Sequence, residues 1–193
     1  MTDVDLKIAE AINQYKKECH GDIENGIFIK EELIQFQKAE LFDGQVAVML
    51  PEHYVDMPIE MQEIKYPSVH RPQIIKTNEA GDINFAFSLL DSPLEKEAVR
   101  ETIRQMKKLI RKVQPSNVFR DEGIIEKENT AIGWFDYKSH AIDEPLFNLM
   151  YCASINGKTL QGVFNAPYSE WKIWKEVMID VVGTIECIKA VEY

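Results

Sequence analysis

The chain has 193 residues, 45% of them hydrophobic and 28% charged. That composition excludes wholesale disorder and suits one domain with a sizeable core. A net charge of −10 argues against partners that are themselves polyanions, nucleic acid and anionic lipid above all.

No run of ~18 apolar residues marks a membrane-spanning helix. The start, Met1-Thr2-Asp3-Val4-Asp5, places acids where a signal peptide carries basic residues. Cys19, Cys152 and Cys187 are odd in number and widely spaced, which fits a reducing compartment rather than a disulfide framework. Together these features read as a cytoplasmic protein.

Along the chain, Ile8, Ile12, Tyr15 and Cys19 recur at helical spacing over about Asp3 to Glu18, with Thr2 as a cap. A loop from Cys19 to Ile27 follows. Residues 1–27 thus read as a short amphipathic helix and loop ahead of a single α+β domain over 28–193. The apolar face of that helix needs a partner, either the domain or a second copy.

Strands are expected over about Glu32 to Phe42 and Gln45 to Leu50, joined by Asp43-Gly44, a hairpin dipeptide. Pro51 ends the second, because proline cannot donate to a ladder. Pro58 to Ile64 is expected to form one helical turn, and Lys65 to Pro72 to stay extended between its prolines. A second hairpin joins Gln73–Thr77 to Ile83–Leu89 across Glu79-Ala80-Gly81-Asp82, with Ile83, Phe85, Phe87 and Leu89 alternating toward one buried face.

The period then changes. Ser92-Pro93-Leu94-Glu95 has the form of a capping box with proline at the first helical position, so a helix is expected to start there. Val99, Ile103, Met106, Ile110 and Val113 make its apolar stripe, and Pro115 stops it. Strands over Val118–Glu126 and Thr130–Tyr137 follow, then a loop from His140 to Pro145. The last hairpin is the most strongly marked. Phe147, Leu149, Tyr151, Ala153 and Ile155 alternate up to Asn156-Gly157, and Leu160, Gly162 and Phe164 alternate after it. A two-residue type I′ turn needs positive φ at both positions, which Asn and Gly tolerate. Trp171, Trp174, Met178, Val181 and Ile185 then form one helical stripe that should lie on the sheet. The class is α+β: an antiparallel sheet of about eight strands built from hairpins, packed by two long helices, plus the short N-terminal helix.

The order of elements carries a resemblance. Strands with an Asp-Gly turn lead into Val46-Ala47-Val48-Met49-Leu50-Pro51, followed by Lys65-Tyr66-Pro67, a hairpin and a helix. Ile132-Gly133-Trp134-Phe135, the Leu149–Phe164 hairpin and the Trp171/Trp174 helix complete it. Over roughly Glu32 to Ile188 this resembles the PsbP-like fold, an α/β/α sandwich whose members include photosystem II extrinsic proteins, Ran-binding Mog proteins and DcrB-like proteins. The resemblance implies a non-catalytic binding or accessory role, chaperone-like in some members. It transfers no site residue, because no family site motif is present.

Few constellations carry chemistry. Arg100, Arg104, Lys107, Lys108 and Arg111 form a basic stripe; residues 93–120 carry net +5 and the rest of the chain −15. Such a stripe either complements the helix dipole on a solvated face or docks an acidic partner, a phosphate-bearing ligand or a second copy. Tyr66, His70 and Arg71 place an aromatic, an imidazole and a guanidinium on a proline-stiffened loop, where they either bind a ligand or cover a sheet edge. Cys152 as a nucleophile would need His140 beside it, with Asp143 to orient it; its mid-strand position suits packing better. Cys19-His20 lacks the second pair of a zinc site, and no phosphate-binding, dinucleotide or hydrolase motif occurs. No cofactor and no metal is therefore expected, and the balance leans against an enzyme. Trp134, Trp171 and Trp174 read as core or interface. The expected function is a non-catalytic protein-binding accessory or chaperone-like module. The alternative is a small-molecule or enzymatic cleft using Tyr66, His70 and Arg71.

Overall fold

The computed structural model describes residues 21–29, 32–141 and 144–188, with Val4 and Lys7. The expected N-terminal helix lies almost wholly outside the described residues, as do Cys19, His20 and Asp143. The expected Cys19–Ile27 loop is corrected within them. Strands β1 (Gly21–Asp22) and β2 (Gly26–Ile29) pair antiparallel, and β2 pairs on with β3 (Glu32–Ile34). The turn between β1 and β2 is held by Asp22, whose carboxylate accepts from the Glu24 and Asn25 amides at 2.9 and 2.7 Å.

The single strand expected from Glu32 to Phe42 breaks at Gln35. β4 (Phe36–Leu41) leaves β3 for a different sheet and forms a hairpin with β5 (Val46–Pro51). Phe42, Asp43 and Gly44 between them all take positive φ, so the turn expected at Asp43-Gly44 stands. β6 (Val55–Asp56) and the seven-residue helix α1 (Ile59–Lys65) follow. The Lys65–Pro72 segment is not extended throughout, because the Arg71 amide closes a turn on the Ser68 carbonyl at 3.2 Å.

The main sheet has seven antiparallel strands: β6, β7 (Ile74–Thr77), β8 (Asn84–Pro93), β12 (Lys158–Pro167), β11 (Pro145–Ile155), β10 (Ala131–His140) and β9 (Val118–Glu126), in that order. β4, β5 and β13 (Glu186–Cys187) form a separate three-stranded sheet. One sheet of about eight strands is thus corrected to a seven-stranded sheet beside smaller ones. The hairpin logic holds: Asn156 and Gly157 have φ of 49° and 75°, and Ile155 pairs with Lys158 across them.

The expected capping box is also overturned. Ser92 and Pro93 remain in β8, and helix α2 (Val99–Val113) starts six residues later, after a 3-10 turn at Lys96–Ala98. Tertiary pairing wins over the local signal. Pro93 pairs with Lys158, the Ser92 carbonyl accepts from Thr159 Oγ1 at 2.9 Å, and the Leu94 amide donates to Gly157 at 2.9 Å.

The pleat sorts the core. Phe85, Phe87, Leu149, Tyr151 and Phe164 face one side, where Trp174, Met178, Val181 and Ile185 meet them from helix α3 (Trp171–Thr184) and its end, with Val48 and Leu50 beyond. Edge-on rings at 4.6 Å (Phe85–Phe164) and 5.4 Å (Phe87–Phe164) fill the centre. Ala131, Phe135, Tyr137 and Cys152 face the other side against Val99 and Ile103 of α2. Each such buried aliphatic contributes about 1.5–3 kcal/mol before entropy is subtracted. Val113, the last of the expected α2 stripe, is 69% exposed and contributes little. On that second face α1 covers the β7–β8 end, where Met61 and Tyr66 pack on Met57, Ile75 and Ala86. The chain is therefore layered: α1 and α2, the main sheet, then α3 with the small sheet.

Candidate functional site

The residues singled out in the sequence do not converge. Tyr66 turns inward, and its hydroxyl accepts from Asn165 Nδ2 at 3.1 Å. That bond ends a buried row across the sheet, in which Thr77 donates to Asn84 at 2.6 Å and Asn84 to Asn165 at 2.8 Å. Burial raises the Tyr66 pKa, with the Asn165 bond opposing. Three residues on, Val69 is 90% exposed and His70 faces solvent, while Arg71 is half-buried. On α2, Lys107 pairs with Glu122 of β9 at 2.7 Å and Arg100 reaches Glu126 at 4.0 Å. Arg111 stacks 4.8 Å from the Phe119 ring. The stripe thus engages its own sheet at three points, while Arg104 and Lys108 are exposed.

Cys152 packs in the second core. The register puts it opposite Gly133, whereas His140 sits opposite Pro145. His140 lies seven residue steps along the strand from Gly133, about 23 Å at ~3.3 Å per residue, so no Cys–His pair forms. Burial pushes the Cys152 thiol up to about 12. A thiol raised above its unfolded value of ~8.5 holds its proton in the folded state. Its contribution to stability is therefore complete below pH ~8.5 and declines as pH rises from there toward the folded value. Native protein at pH ~8.5 is expected to leave Cys152 unmodified by iodoacetamide, with full modification after unfolding in urea. Peptide mass mapping reads the outcome, and rapid native labelling of Cys152 would contradict the packing.

A cleft of about 750 Å³ opens elsewhere, where four distant segments meet. The β2–β3 hairpin gives Ile29, Glu32 and Ile34, and the end of β5 and the turn after it give Pro51, His53 and Tyr54. The β7–β8 turn gives Asn78 to Ala80, Asp82 and Ile83, and the start of α3 gives Glu170 and Trp174. The floor is apolar and aromatic: Trp174 is 1% exposed and Tyr54 sets its ring edge-on to Phe85 at 5.4 Å.

The walls carry carboxylates, and local structure places Asp82 and Glu170 among them. Asn78 accepts from the Asp82 and Ile83 amides at 3.0 and 3.1 Å and donates to the Asp82 carboxylate at 2.7 Å. Gly81 takes φ 75° in the same turn, and Lys65 of α1 donates to its carbonyl. Glu170 accepts from Trp174 Nε1 at 3.1 Å. The Tyr54 hydroxyl senses this wall. Burial raises its pKa, and Asp82, Glu170 and Glu32 raise it further. No lysine or arginine lines the cleft among the described residues. An aromatic floor under several carboxylates suits a group with an apolar stem and a cationic tip. None of Tyr66, His70, Arg71 or the basic stripe lines it.

No family model matches the chain, and no curated protein matches it in sequence. Solved structures do match in shape. The cyanobacterial PsbP of Synechocystis, CyanoP, superposes with a TM-score of 0.60 at 10% identity, over 84% of this chain and 98% of that one. The fold is PsbP-like. The Ran-binding protein Mog1p of Saccharomyces cerevisiae matches with a TM-score of 0.52 at 10% identity, covering 81% and 97% of the two chains. LpqN of Mycobacterium tuberculosis, a protein involved in cell envelope biogenesis, matches with 0.53 at 10% identity, covering 92% and 97%. At that identity the likeness concerns the PsbP-like architecture alone. No helix among the described residues is long and apolar enough to cross a membrane.

Sequence reasoning missed the cleft. Its acids lie in turns and strand ends, where carboxylates ordinarily serve solubility, and nothing local ties residues 29–34 to 170–174. The one available signal was the cluster of acids around Gly81 facing a Trp-bearing helix.

Proposed function

We propose that this protein is a non-catalytic binding module that captures a basic segment of another protein, in an accessory or chaperone-like role in the cytoplasm. The observation that carries this reading is the cleft: an aromatic floor of Tyr54 and Trp174 under Glu32, Glu79, Asp82 and Glu170, with no lining lysine or arginine among the described residues. Lysine and arginine fit it because their methylene stems lie along rings while their charges meet carboxylates. The PsbP-like neighbours support a binding role, and one of them is named for binding a protein, Ran.

Titration calorimetry with a lysine-rich peptide at low salt tests it. Saturable binding is expected that weakens steeply with salt, since the Debye length shrinks from ~30 Å at 0.01 M to ~10 Å at 0.1 M. The Glu32→Gln/Asp82→Asn/Glu170→Gln variant should lose about tenfold in affinity, the sum of three partly exposed charge contacts. Equal affinity of wild type and variant would overturn the reading.

A further inference from the structure

Two cations near the cleft, Arg120 and Lys138, sit on aromatic rings rather than in ion pairs. The other strand lysines meet carboxylates: Lys38 with Glu186 at 2.6 Å, Lys76 with Asp56 at 2.8 Å and Lys158 with Asp91 at 2.7 Å. Arg120 and Lys138 have no carboxylate within 4.0 Å among the described residues, in a chain with 32 acids. They rest on rings instead. The Arg120 guanidinium lies 4.1 Å from the Trp171 centroid and 5.4 Å from that of Tyr168, and it donates to the Tyr168 hydroxyl. The Lys138 ammonium lies 4.4 Å from the same Tyr168 ring. The two rings are themselves stacked, 6.2 Å apart at 18°. Asp121, next to Arg120 in the chain, and Asp136 across the ladder both meet Lys175.

The arrangement suits an anion, with two cations set on rings and neither paired to a carboxylate among the described residues. Lys138 pairs with Val118 across the β9–β10 ladder, Arg120 stands two residues further along β9, and both reach the Tyr168 ring, so both cations serve one face. Stacking fixes the plane of the guanidinium, which lowers the ordering cost of a bidentate contact to a carboxylate. The lysine adds a point charge beside it.

Its position gives the ligand. Tyr168 and Trp171 stand on the turn that opens α3, whereas Glu170 and Trp174 of that same turn line the acidic cleft. Residues three apart on a helix are about 5–6 Å apart at Cβ. The two surfaces therefore adjoin, one negative and one positive. We infer that Arg120 and Lys138 form a second subsite that binds an acidic side chain of the same protein segment whose basic residues occupy the cleft. The ligand class is then a dipolar peptide segment, basic residues joined by a short spacer to acidic ones. This rests on the cleft reading above, and the experiment separates the two.

Calorimetry of the full chain would use three synthetic peptides. One has three lysines, a Gly-Ser-Gly spacer and three aspartates; in the second, serines replace the aspartates; in the third, serines replace the lysines. Wild type is expected to bind the dipolar peptide about tenfold more tightly than the lysine-only one, as one charge-assisted bidentate contact supplies. The Arg120→Gln/Lys138→Gln variant should abolish that difference while keeping the affinity for the lysine-only peptide, which also certifies its fold. Equal binding of the dipolar and lysine-only peptides by wild type would overturn the subsite and leave the cleft. A difference that persists in the variant would do the same. Binding of the aspartate-only peptide that depends on Arg120 and Lys138, with no binding of the lysine-only peptide, would uphold the subsite and overturn the cleft.

Discussion

Lys175→Met is expected to lower the unfolding free energy by about 3–5 kcal/mol, the usual cost of removing one partner from a buried ion pair. The reason is Asp136. It is fully buried in β10 at an irregularity of the ladder, where Arg120 and Asp121 of β9 together stand across from it. One of its oxygens accepts from the Asp121 amide at 3.0 Å. The other makes no well-angled hydrogen bond among the described residues and faces the Lys175 ammonium at 2.6 Å. Burial works against the charge of Lys175, but Asp121 and Asp136 outweigh it and hold its pKa above the ordinary lysine value. A raised lysine pKa contributes stability that is complete below the unfolded value of ~10.4 and lost as pH rises through the folded one. Methionine keeps the stem and deletes the charge, leaving the buried Asp136 side chain without its ion-pair partner. At an m-value of ~2 kcal/mol/M the urea midpoint should fall by about 2 M. Lys175→Met/Asp136→Leu should recover most of the loss, since an apolar pair of similar volume is often neutral. A drop under about 1 kcal/mol in the single variant would show that Asp136 does not depend on Lys175.

What the sequence made legible was local. Asn156-Gly157 and Asp43-Gly44 mark hairpins because few dipeptides accept consecutive positive φ, and both turns take it. The alternation of Phe147, Leu149, Tyr151, Ala153 and Ile155 set one face of β11 for the same kind of reason, a pleat of period two. The failures came where distant backbone competed. Ser92-Pro93-Leu94-Glu95 has the chemistry of a helix start, yet β12 offers that segment a ladder partner and Leu94 a buried seat. No local pattern announces that offer.

The tryptophans show the same division. At helical spacing Trp171 and Trp174 read as one stripe. Trp174 is core, but Trp171 lies one turn earlier, where the stripe runs off the end of the sheet core and meets Arg120. A stripe residue at a helix terminus is only half covered, and what covers the other half is set by a strand some fifty residues away in sequence. The candidate site belongs to this second class. Its cleft and its cationic platform are assembled by the opening turn of α3, so both depend on how that turn is seated and neither on a contiguous motif.

That seating in turn requires a close crossing at the centre of the sheet, and Gly162→Ala should break it. Gly162 lies in β12 on the α3 side, between Phe87 of β8 and Tyr151 of β11. A Cβ there would overlap the Ala86 carbonyl oxygen and stand 2.5 Å from the Tyr151 hydroxyl and 2.8 Å from its Cζ. The glycine is what lets the Tyr151 ring lie across the strand and donate to Ala86 at 3.1 Å. Ordinary overpacking costs about 1–3 kcal/mol because side chains can give way. Here the obstacle is the backbone of a central strand, so a loss of about 4 kcal/mol or more is expected. Gly157→Ala is the contrast: nothing lies within 4 Å of that added Cβ, but φ is +75°, so the cost should be the left-handed penalty of about 1–2 kcal/mol. Adding Tyr151→Phe to Gly162→Ala should restore little, because removing the hydroxyl leaves the ring carbon and the carbonyl in place. Urea unfolding of the four proteins decides it. A Gly162→Ala variant within about 1 kcal/mol of wild type would mean that β12 can shift without cost, and the crossing would lose its role.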